Sequence, residues 1–204
     1  MNQKQLLLKS LKEKGFSKEI LAAFEKVKRE NFVPKNLKDR AYEDTALPIG
    51  FQQTISQPYT IATMLSLLEL KRGLMVLEVG SGCGYVLALL SNIVGKKGKV
   101  FGIEIIPELI KKSQENLTDC KNIRIHLGNG KLGLKKEVPF DRIIISATYN
   151  EIPEQLIEQL KENGIIVAPI GNIYGQDLIA YKKVNHGLQI KEKIPGFIFV
   201  PLVD

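Results

Sequence analysis

The spacing of hydrophobic positions changes about a third of the way along the chain. Before that point, apolar residues recur every three or four positions, and residues 1–30 predict two helices separated by Gly15. Ser17 is a suitable N-cap for the second helix. A third helix is expected to begin at Pro58, because proline is tolerated in the first turn of a helix. Residues 31–57 have weak periodicity and predict a long ordered connection, which is uncommon unless it has a function.

Short apolar runs alternate with helical segments over most of the remaining chain. The first runs predict strands at Leu74–Val79, Val100–Ile105, Ile123–Leu127, Ile143–Ile145 and Ile165–Ala168. The helical segments lie near residues 84–94, 107–118 and 153–161. Such alternation is typical of a parallel sheet that is covered by helices on both faces. Further strand-like runs follow at Leu178–Val184, Leu188–Ile194 and Phe197–Val200, and Asn185-His186-Gly187 predicts a tight turn between the first two.

Length and composition fit an ordinary globular protein. The chain has 204 residues, of which 44% are hydrophobic and 25% are charged, enough for a core without disulfides. No stretch approaches the roughly 18 apolar residues of a membrane span, and the N-terminus lacks a signal-peptide pattern. The 2 cysteines form no CxxC pair and the 2 histidines have no metal-ligand spacing. We therefore expect a cytoplasmic, metal-free monomer without a membrane partner.

The net charge of +7 raises the question of a nucleic-acid partner. The lysines occur as scattered pairs, such as Lys96-Lys97 and Lys135-Lys136, and no run of five or six like charges is present. This pattern indicates solvated surface charge, and no nucleic-acid partner is expected.

The stretch from Val76 to Tyr85 is the most informative part of the chain. Gly80, Gly82 and Gly84 follow an apolar strand and precede a helix. Glycines allow the backbone to turn sharply and to approach a ligand closely. The free N–H groups at the start of the helix favour a negative group, for which a carboxylate serves as well as a phosphate. The Gly-x-Gly-x-Gly spacing differs from the Gly-x-Gly-x-x-Gly of dinucleotide sites.

Two carboxylates complement this turn. Glu104 lies 20 residues after Gly84 at the end of the next strand, where it is placed to bind both hydroxyls of a ribose. Glu78 suits an ammonium group, and Asn129 after the third strand suits an adenine edge. A ligand with these groups is S-adenosylmethionine; a turn without a ligand and a nicotinamide or flavin site remain alternatives. The predicted cofactor-binding residues are Glu78, Gly80, Ser81, Gly82, Gly84, Glu104, Ile105, Asn129 and Gly130.

The run Thr54-Ile55-Ser56-Gln57-Pro58 resembles the Thr-Ile-Ser-(Gln/Ala)-Pro motif of the protein-L-isoaspartate O-methyltransferase family. Further similar segments are Arg29–Pro34, Gly80–Tyr85, Pro139–Ile143 and Phe199–Leu202. The resemblance covers nearly the whole chain. It implies a Rossmann-like class I methyltransferase of the α/β class, with a mostly parallel seven-stranded sheet, helices on both faces and an N-terminal helical cap. It also implies a cap and active-site loop over residues 1–57 and a cofactor-binding core over residues 58–204.

The resemblance also implies a reaction. The methyl group of S-adenosylmethionine would pass to the free α-carboxylate of L-isoaspartyl residues in damaged proteins and peptides, leaving S-adenosyl-L-homocysteine. Because that carboxylate is nucleophilic at neutral pH, the enzyme needs alignment and exclusion of water rather than a general base. Ser56 would be the catalytic residue that holds the carboxylate, with Thr54, Ile55 and Ser56 binding the substrate. Taken by position alone, Ser56 is equally suited to cap the helix at Pro58.

Two departures from the family pattern leave other functions open. Asn129 stands where members usually have Asp, and Tyr149 stands where they have small residues. One alternative is a methyltransferase with an RNA or small-molecule acceptor, for which RNA binding would weaken steeply with salt. Another is a non-catalytic cofactor-binding module. The chain has no basic patch interleaved with aromatic residues, and its Ser56 motif is intact, which favours the repair function over both.

Overall fold

The N-terminal part of the chain is helical, as predicted. The computed structural model describes residues 1–172 and 174–202. Helices α1 (Gln3–Glu13) and α2 (Lys18–Lys26) come first, followed by short 3₁₀ helices at Arg29–Asn31 and Lys35–Arg40. The Ser17 hydroxyl accepts a hydrogen bond from the Ile20 N–H at 3.4 Å, which confirms it as the N-cap of α2.

The connection before Pro58 contains a β-hairpin that the sequence pattern did not predict. Strands β1 (Leu47–Gly50) and β2 (Gln53–Ile55) pair antiparallel, with Leu47 opposite Ile55. Phe51 and Gln52 at the tip both have positive φ, at 54° and 59°. This local backbone conformation is uncommon outside glycine, so hydrophobic periodicity carries no signal for it.

The remaining elements alternate between helices and strands. They are α3 (Pro58–Leu67), β3 (Met75–Val79), α4 (Tyr85–Val94), β4 (Lys99–Glu104), α5 (Pro107–Asn116), β5 (Ile123–Leu127), β6 (Phe140–Ile145), α6 (Glu154–Gln159), β7 (Leu160–Asn172), β8 (Gly175–Val184) and β9 (Gly187–Phe197). Strands β3 to β9 form a seven-stranded sheet in the order β5-β4-β3-β6-β7-β8-β9. The first five of these strands run parallel, and β8 is antiparallel to both of its neighbours. The chain reverses direction across the sheet between β3 and β6, and ligands bind at such switch points in open α/β sheets.

Alternate residues of the central strands face two separate cores. Val76 and Ile144 belong to the core that packs against α1 to α5, whereas Leu77 and Ile143 belong to the core that packs against α6. Helices therefore cover both faces, as predicted, and the central strands β3 and β6 are buried on both sides. Helices α1 and α2 share the first core with the sheet, so they are packed onto it rather than detached from it.

The prediction of a further strand over Phe197–Val200 is wrong. Strand β9 ends at Phe197, after Gly196 with φ of +91°, and Ile198 is 93% exposed. The backbone of Phe199 forms hydrogen bonds with a side chain rather than with a neighbouring strand. Its N–H donates to Gln176 Oε1 at 2.7 Å, and its carbonyl accepts from Gln176 Nε2 at 3.1 Å. A buried glutamine thus replaces the β-ladder for this residue.

The final hairpin follows the predicted turn. Asn185 and His186 both have positive φ, as a two-residue hairpin turn requires. Strand β9 is the outermost strand at this edge of the sheet. Lys193 Nζ lies 2.8 Å from Asp177 Oδ2, and Lys191 pairs with Glu69.

Candidate active site

The glycine turn after β3 has the backbone conformation that its spacing predicts. Gly80, Gly82 and Gly84 all have positive φ, at 77°, 51° and 85°. A Cβ at Gly84 would lie 2.8 Å from Leu117 Cδ1, so this glycine allows α4 to pack closely against the end of α5. A Cβ at Gly82 would come 3.3 Å from Ile49 Cδ1 of the β1–β2 hairpin. There is therefore no room for a side chain at Gly84, and a side chain at Gly82 would press against the hairpin.

A cleft lies at the carboxyl ends of β3 to β6, under this hairpin. Ile49, Gln53 and Thr54 line its hairpin side. Five of the predicted cofactor-binding residues also line it: Gly80, Gly82, Glu104, Ile105 and Gly130. The structure thus brings together residues from three consecutive strand ends, as expected for the ligand crevice of such a sheet.

Glu104 is held rigidly at the edge of the cleft. Its Oε2 accepts a hydrogen bond from the Gly82 N–H at 2.7 Å, and its Oε1 accepts from Ile105 and Ile106 at 2.9 and 3.1 Å. Glu104 is 6% exposed, and these three bonds compensate for much of the cost of its burial. Each carboxylate oxygen has further lone pairs, so the carboxylate can still accept hydrogen bonds from a diol.

Glu78 lies beneath the cleft rather than in its lining. The side chain is 1% exposed; its Oε1 accepts a hydrogen bond from the Ser146 hydroxyl at 2.8 Å, and its Oε2 has no partner among the described residues. Burial raises the pKa of the Glu78 carboxyl well above its ordinary value; the Ser146 hydrogen bond opposes this rise and the nearby Glu104 adds to it. Glu78 is thus a carboxyl that a nearby positive charge would favour in its ionised form.

Three further predicted cofactor residues lie outside the lining of the cleft. Ser81 is buried with an unpartnered hydroxyl, and Gly84 is buried at the start of α4. Asn129 Oδ1 accepts a hydrogen bond from the Lys131 N–H at 2.9 Å and so caps the 3₁₀ helix at Gly130–Leu132. Its proposed contact with an adenine edge stays a prediction.

A second groove adjoins the cleft and contains Ser56. One wall comes from residues 45–60 and the opposite wall from residues 194–200. Thr54, Ser146 and Val200 line both the groove and the cleft, so the two spaces meet at these side chains. The Ser56 hydroxyl has no hydrogen-bond partner within residues 1–172 and 174–202. Its neighbour Ile55 is 4% exposed and packs into the core, so its side chain does not line the groove.

Side chains outside the groove stabilise the loop that forms its wall around Ser56. Gln57, not Ser56, is the N-cap of α3, so the alternative in which Ser56 caps this helix is wrong. Asp44 Oδ1 accepts a hydrogen bond from the Tyr59 N–H at 2.8 Å and takes over the capping function. The fully buried Arg29 donates to the Thr45 carbonyl at 3.3 Å and stacks over the Tyr85 ring at 5.2 Å. These contacts fix the loop that carries the Thr-Ile-Ser motif.

Sequence reasoning missed Ser146 and the terminal segment Val200–Leu202, all of which line the cleft. Ser146 directly follows the apolar run Ile143–Ile145, and a polar residue immediately after a buried strand is the signal that would have found it. Val200–Leu202 reaches the cleft because Thr148 N–H donates to the Val200 carbonyl at 2.8 Å and Leu202 N–H donates back to Thr148 at 2.8 Å.

Within residues 1–172 and 174–202, no group of three or more His, Cys, Asp and Glu side chains could hold a metal ion. In the same part of the chain, no helix has the length and apolar character needed to cross a membrane.

A glycine turn at the switch point of a mostly parallel seven-stranded sheet, with an acidic residue ending the neighbouring strand, defines the chain as a class I S-adenosylmethionine-dependent methyltransferase. Comparison with known families defines it further. The model of the protein-L-isoaspartate(D-aspartate) O-methyltransferase family matches residues 2–204, and the chain belongs to this family.

Individual relatives agree with the family assignment. A protein-L-isoaspartate O-methyltransferase from Methanothrix thermoacetophila is 44% identical over 203 residues, which cover 98% of this chain and 95% of the relative. A solved protein-L-isoaspartate O-methyltransferase superposes with a TM-score of 0.90 at 29% identity, covering 98% of this chain and 66% of that longer chain. A Plasmodium falciparum structure assigned to the same family, in complex with S-adenosyl-L-homocysteine, has a TM-score of 0.82 at 29% identity and covers 100% of this chain and 99% of its own.

Proposed function

We propose that this chain repairs damaged proteins by methylating the free α-carboxylate of L-isoaspartyl residues with S-adenosylmethionine. The observation that carries the proposal is the continuity of the two spaces: the cleft with the glycine turn and the groove with Ser56 meet at Thr54, Ser146 and Val200. A methyl group has to pass between a donor and an acceptor that are each held in their own space. Family membership supports the isoaspartyl acceptor.

The cleft fits the cofactor that the family implies. Gly80 and Gly82 present their backbone to the cleft, where side chains would narrow the space, which suits the carboxylate end of S-adenosylmethionine. Glu104 has carboxylate lone pairs for the ribose. The Glu78 carboxyl, whose Oε2 has no partner among the described residues, would be favoured in its ionised form by a cationic part of the ligand. When bound, the cofactor supplies an electrophilic methyl group on a positively charged sulfur.

The residues of the groove would position the acceptor. Ser56 has a free hydroxyl that would donate a hydrogen bond to the isoaspartyl carboxylate, while Thr54 and the backbone of Ile55 would bound the substrate beside it. The β1–β2 hairpin over the cleft would exclude water from the reacting atoms. The methyl ester would then lose methanol as the following backbone nitrogen closes a succinimide, and hydrolysis of this ring returns part of the material to normal aspartate.

We further propose a cellular compartment and an oligomeric state for the enzyme. Cys83 and Cys120 are free thiols, and burial raises the pKa of Cys83 to about 11, which keeps it protonated and unreactive beside the cofactor turn. These thiols support a reducing, cytoplasmic compartment. We also propose a metal-free monomer with a cap and active-site loop over residues 1–57 and a core over residues 58–204, of which residues 203 and 204 lie outside the described residues.

The test is methyl transfer from radiolabelled S-adenosylmethionine to two peptides that are identical except for isoaspartate or normal aspartate. We expect base-labile label only in the isoaspartyl peptide. Ser56→Ala should lower kcat/KM by about 10- to 100-fold, the loss of one hydrogen bond to a charged group. Ser66→Ala, in the exposed part of α3, is the matched control and should leave the rate unchanged. No label in either peptide, with the cofactor still bound, would refute the repair function.

A further inference from the structure

Ser146 stands at the junction between the cleft and the groove. It directly follows β6, and its N–H donates to the Val79 carbonyl at 2.9 Å, which fixes it beside the glycine turn. Its side chain lines both spaces. Of the three residues at this junction, it is the one that follows a strand of the central sheet.

The Ser146 hydroxyl already donates its proton to a hydrogen bond within the protein. Ser146 Oγ donates to Glu78 Oε1 at 2.8 Å, and Glu78 is almost completely buried with its second oxygen unpartnered among the described residues. A hydroxyl has one donor and two acceptor lone pairs, so the part of Ser146 that faces the junction presents lone pairs. The hydrogen bond to Glu78 holds the hydroxyl in this orientation.

Lone pairs at this place attract a cation and disfavour an anion. Before transfer, the cofactor carries a positive sulfonium whose methyl hydrogens are weak hydrogen-bond donors to oxygen. After transfer, the same molecule is a neutral thioether, whereas its ribose, adenine, ammonium and carboxylate groups are unchanged. A protein group that interacts with the sulfonium but not with the thioether would therefore bind S-adenosylmethionine more tightly than S-adenosyl-L-homocysteine.

We propose that the Ser146–Glu78 pair selects the sulfonium form of the cofactor over the thioether product. The proposal rests on the proposed function for the identity of the cofactor. The glycine turn and Glu104 contribute to binding of both forms, and the Ser146 hydroxyl adds affinity for one of them. The pair therefore promotes exchange of the spent product for fresh donor.

The test compares Thr and Val at position 146, which have nearly the same shape but differ in the hydroxyl. Dissociation constants for S-adenosylmethionine and S-adenosyl-L-homocysteine are measured by calorimetry without an acceptor peptide. Ser146→Thr should keep the wild-type ratio of the two constants. Ser146→Val should weaken S-adenosylmethionine by about fivefold, the upper value of one weak C–H···O contact, and change S-adenosyl-L-homocysteine less than twofold.

Further variants guard against a purely structural effect. Ser91→Ala removes another buried hydroxyl, which bonds Asn122 Oδ1 at 2.6 Å far from the junction, and should change neither constant. Ser146→Ala, which removes the hydroxyl without adding volume, should reproduce the selective loss if Ser146→Val does not fold. Equal losses for both ligands, or no loss for either, would overturn the proposal. Failure of the wild type to methylate isoaspartyl peptides would instead refute the repair function and leave the binding result intact.

Discussion

The cofactor cleft and the acceptor groove share three side chains but are built in different ways. The cleft consists mainly of strand ends that follow one another in the chain, and its rigidity comes from backbone hydrogen bonds to Glu104. The groove joins residues 45–60 to residues 194–200, which are brought together only by the complete fold. Its walls are held by single side chains, namely Arg29, Asp44 and Gln176.

This difference in construction matches a difference in the proposed functions of the two spaces, which are binding of the methyl donor and selection of the acceptor. In the proposed function the cleft holds only the donor, so the same cleft would serve any acceptor. The acceptor would be selected in the groove, where one misplaced wall would change the geometry of attack. Changes to the cleft are therefore expected to act on cofactor affinity, and changes behind the groove on acceptor kinetics.

The largest effect is expected from Glu104→Ala. This change removes the acceptor of three backbone N–H groups and the proposed partner of the ribose, so both S-adenosylmethionine and S-adenosyl-L-homocysteine should bind about 100-fold more weakly. Calorimetry measures this loss, and Glu108→Ala on the exposed first turn of α5 serves as the control. The peptide KM at saturating cofactor should stay within about twofold. A rise in KM as large as the loss of cofactor affinity would show that the two spaces are not independent.

A smaller effect is expected from Asp44→Ala, which removes the cap of α3 just after Ser56. We expect a loss of stability of about 1 kcal/mol and a severalfold rise in the peptide KM, with unchanged cofactor affinity. Ser17→Ala removes the N-cap of α2 at a similar cost in stability, but it lies away from the groove and should leave KM unchanged. Equal kinetic effects of the two variants would mean that Asp44 acts through stability alone.

The smallest effect is expected from Asn129→Asp, which introduces the acid that is usual in the family. Asn129 lies outside the lining of the cleft, and an aspartate would accept the same hydrogen bond from Lys131. Cofactor affinity should change less than about threefold, with a change in stability of at most about 1 kcal/mol. A tenfold gain in affinity would instead support the direct adenine contact that the sequence predicted.

Much of the fold was predictable because its signals are local. The strands and helices around Gly80 are predicted by hydrophobic periodicity, by the glycine spacing and by an acidic residue at the end of the next strand. The β1–β2 hairpin was missed because its turn depends on positive φ at Phe51 and Gln52, residues that are not turn formers. The final apolar run was mistaken for a strand because hydrophobicity does not reveal that Gln176 would take over its backbone hydrogen bonds.

Within the site, the sequence predicted residues that belong to recognisable motifs. It did not predict residues that only the three-dimensional fold brings to the site. Ser56 was recognised through the motif around it, and the structure adds that it lines the groove and that its hydroxyl has no hydrogen-bond partner among the described residues. Ser146 carries no motif and gains its place only because β3 and β6 are neighbours in the sheet. Ile55 belongs to the same motif as Ser56, yet its side chain is buried in the core, because Thr54 and Ile55 are successive residues of strand β2 and face opposite sides.

The outer edge of the sheet matters for an enzyme whose proposed substrates are damaged and partly unfolded chains. Strand β9 exposes a row of backbone groups to which an unfolded segment could pair and begin to aggregate. Lys191 and Lys193 place charge along this edge, Pro195 lacks an N–H donor, and the register of β8 and β9 is interrupted at Ala180/Tyr181. The edge is therefore a poor template for another strand, which protects the enzyme from coaggregation with the proteins that it repairs.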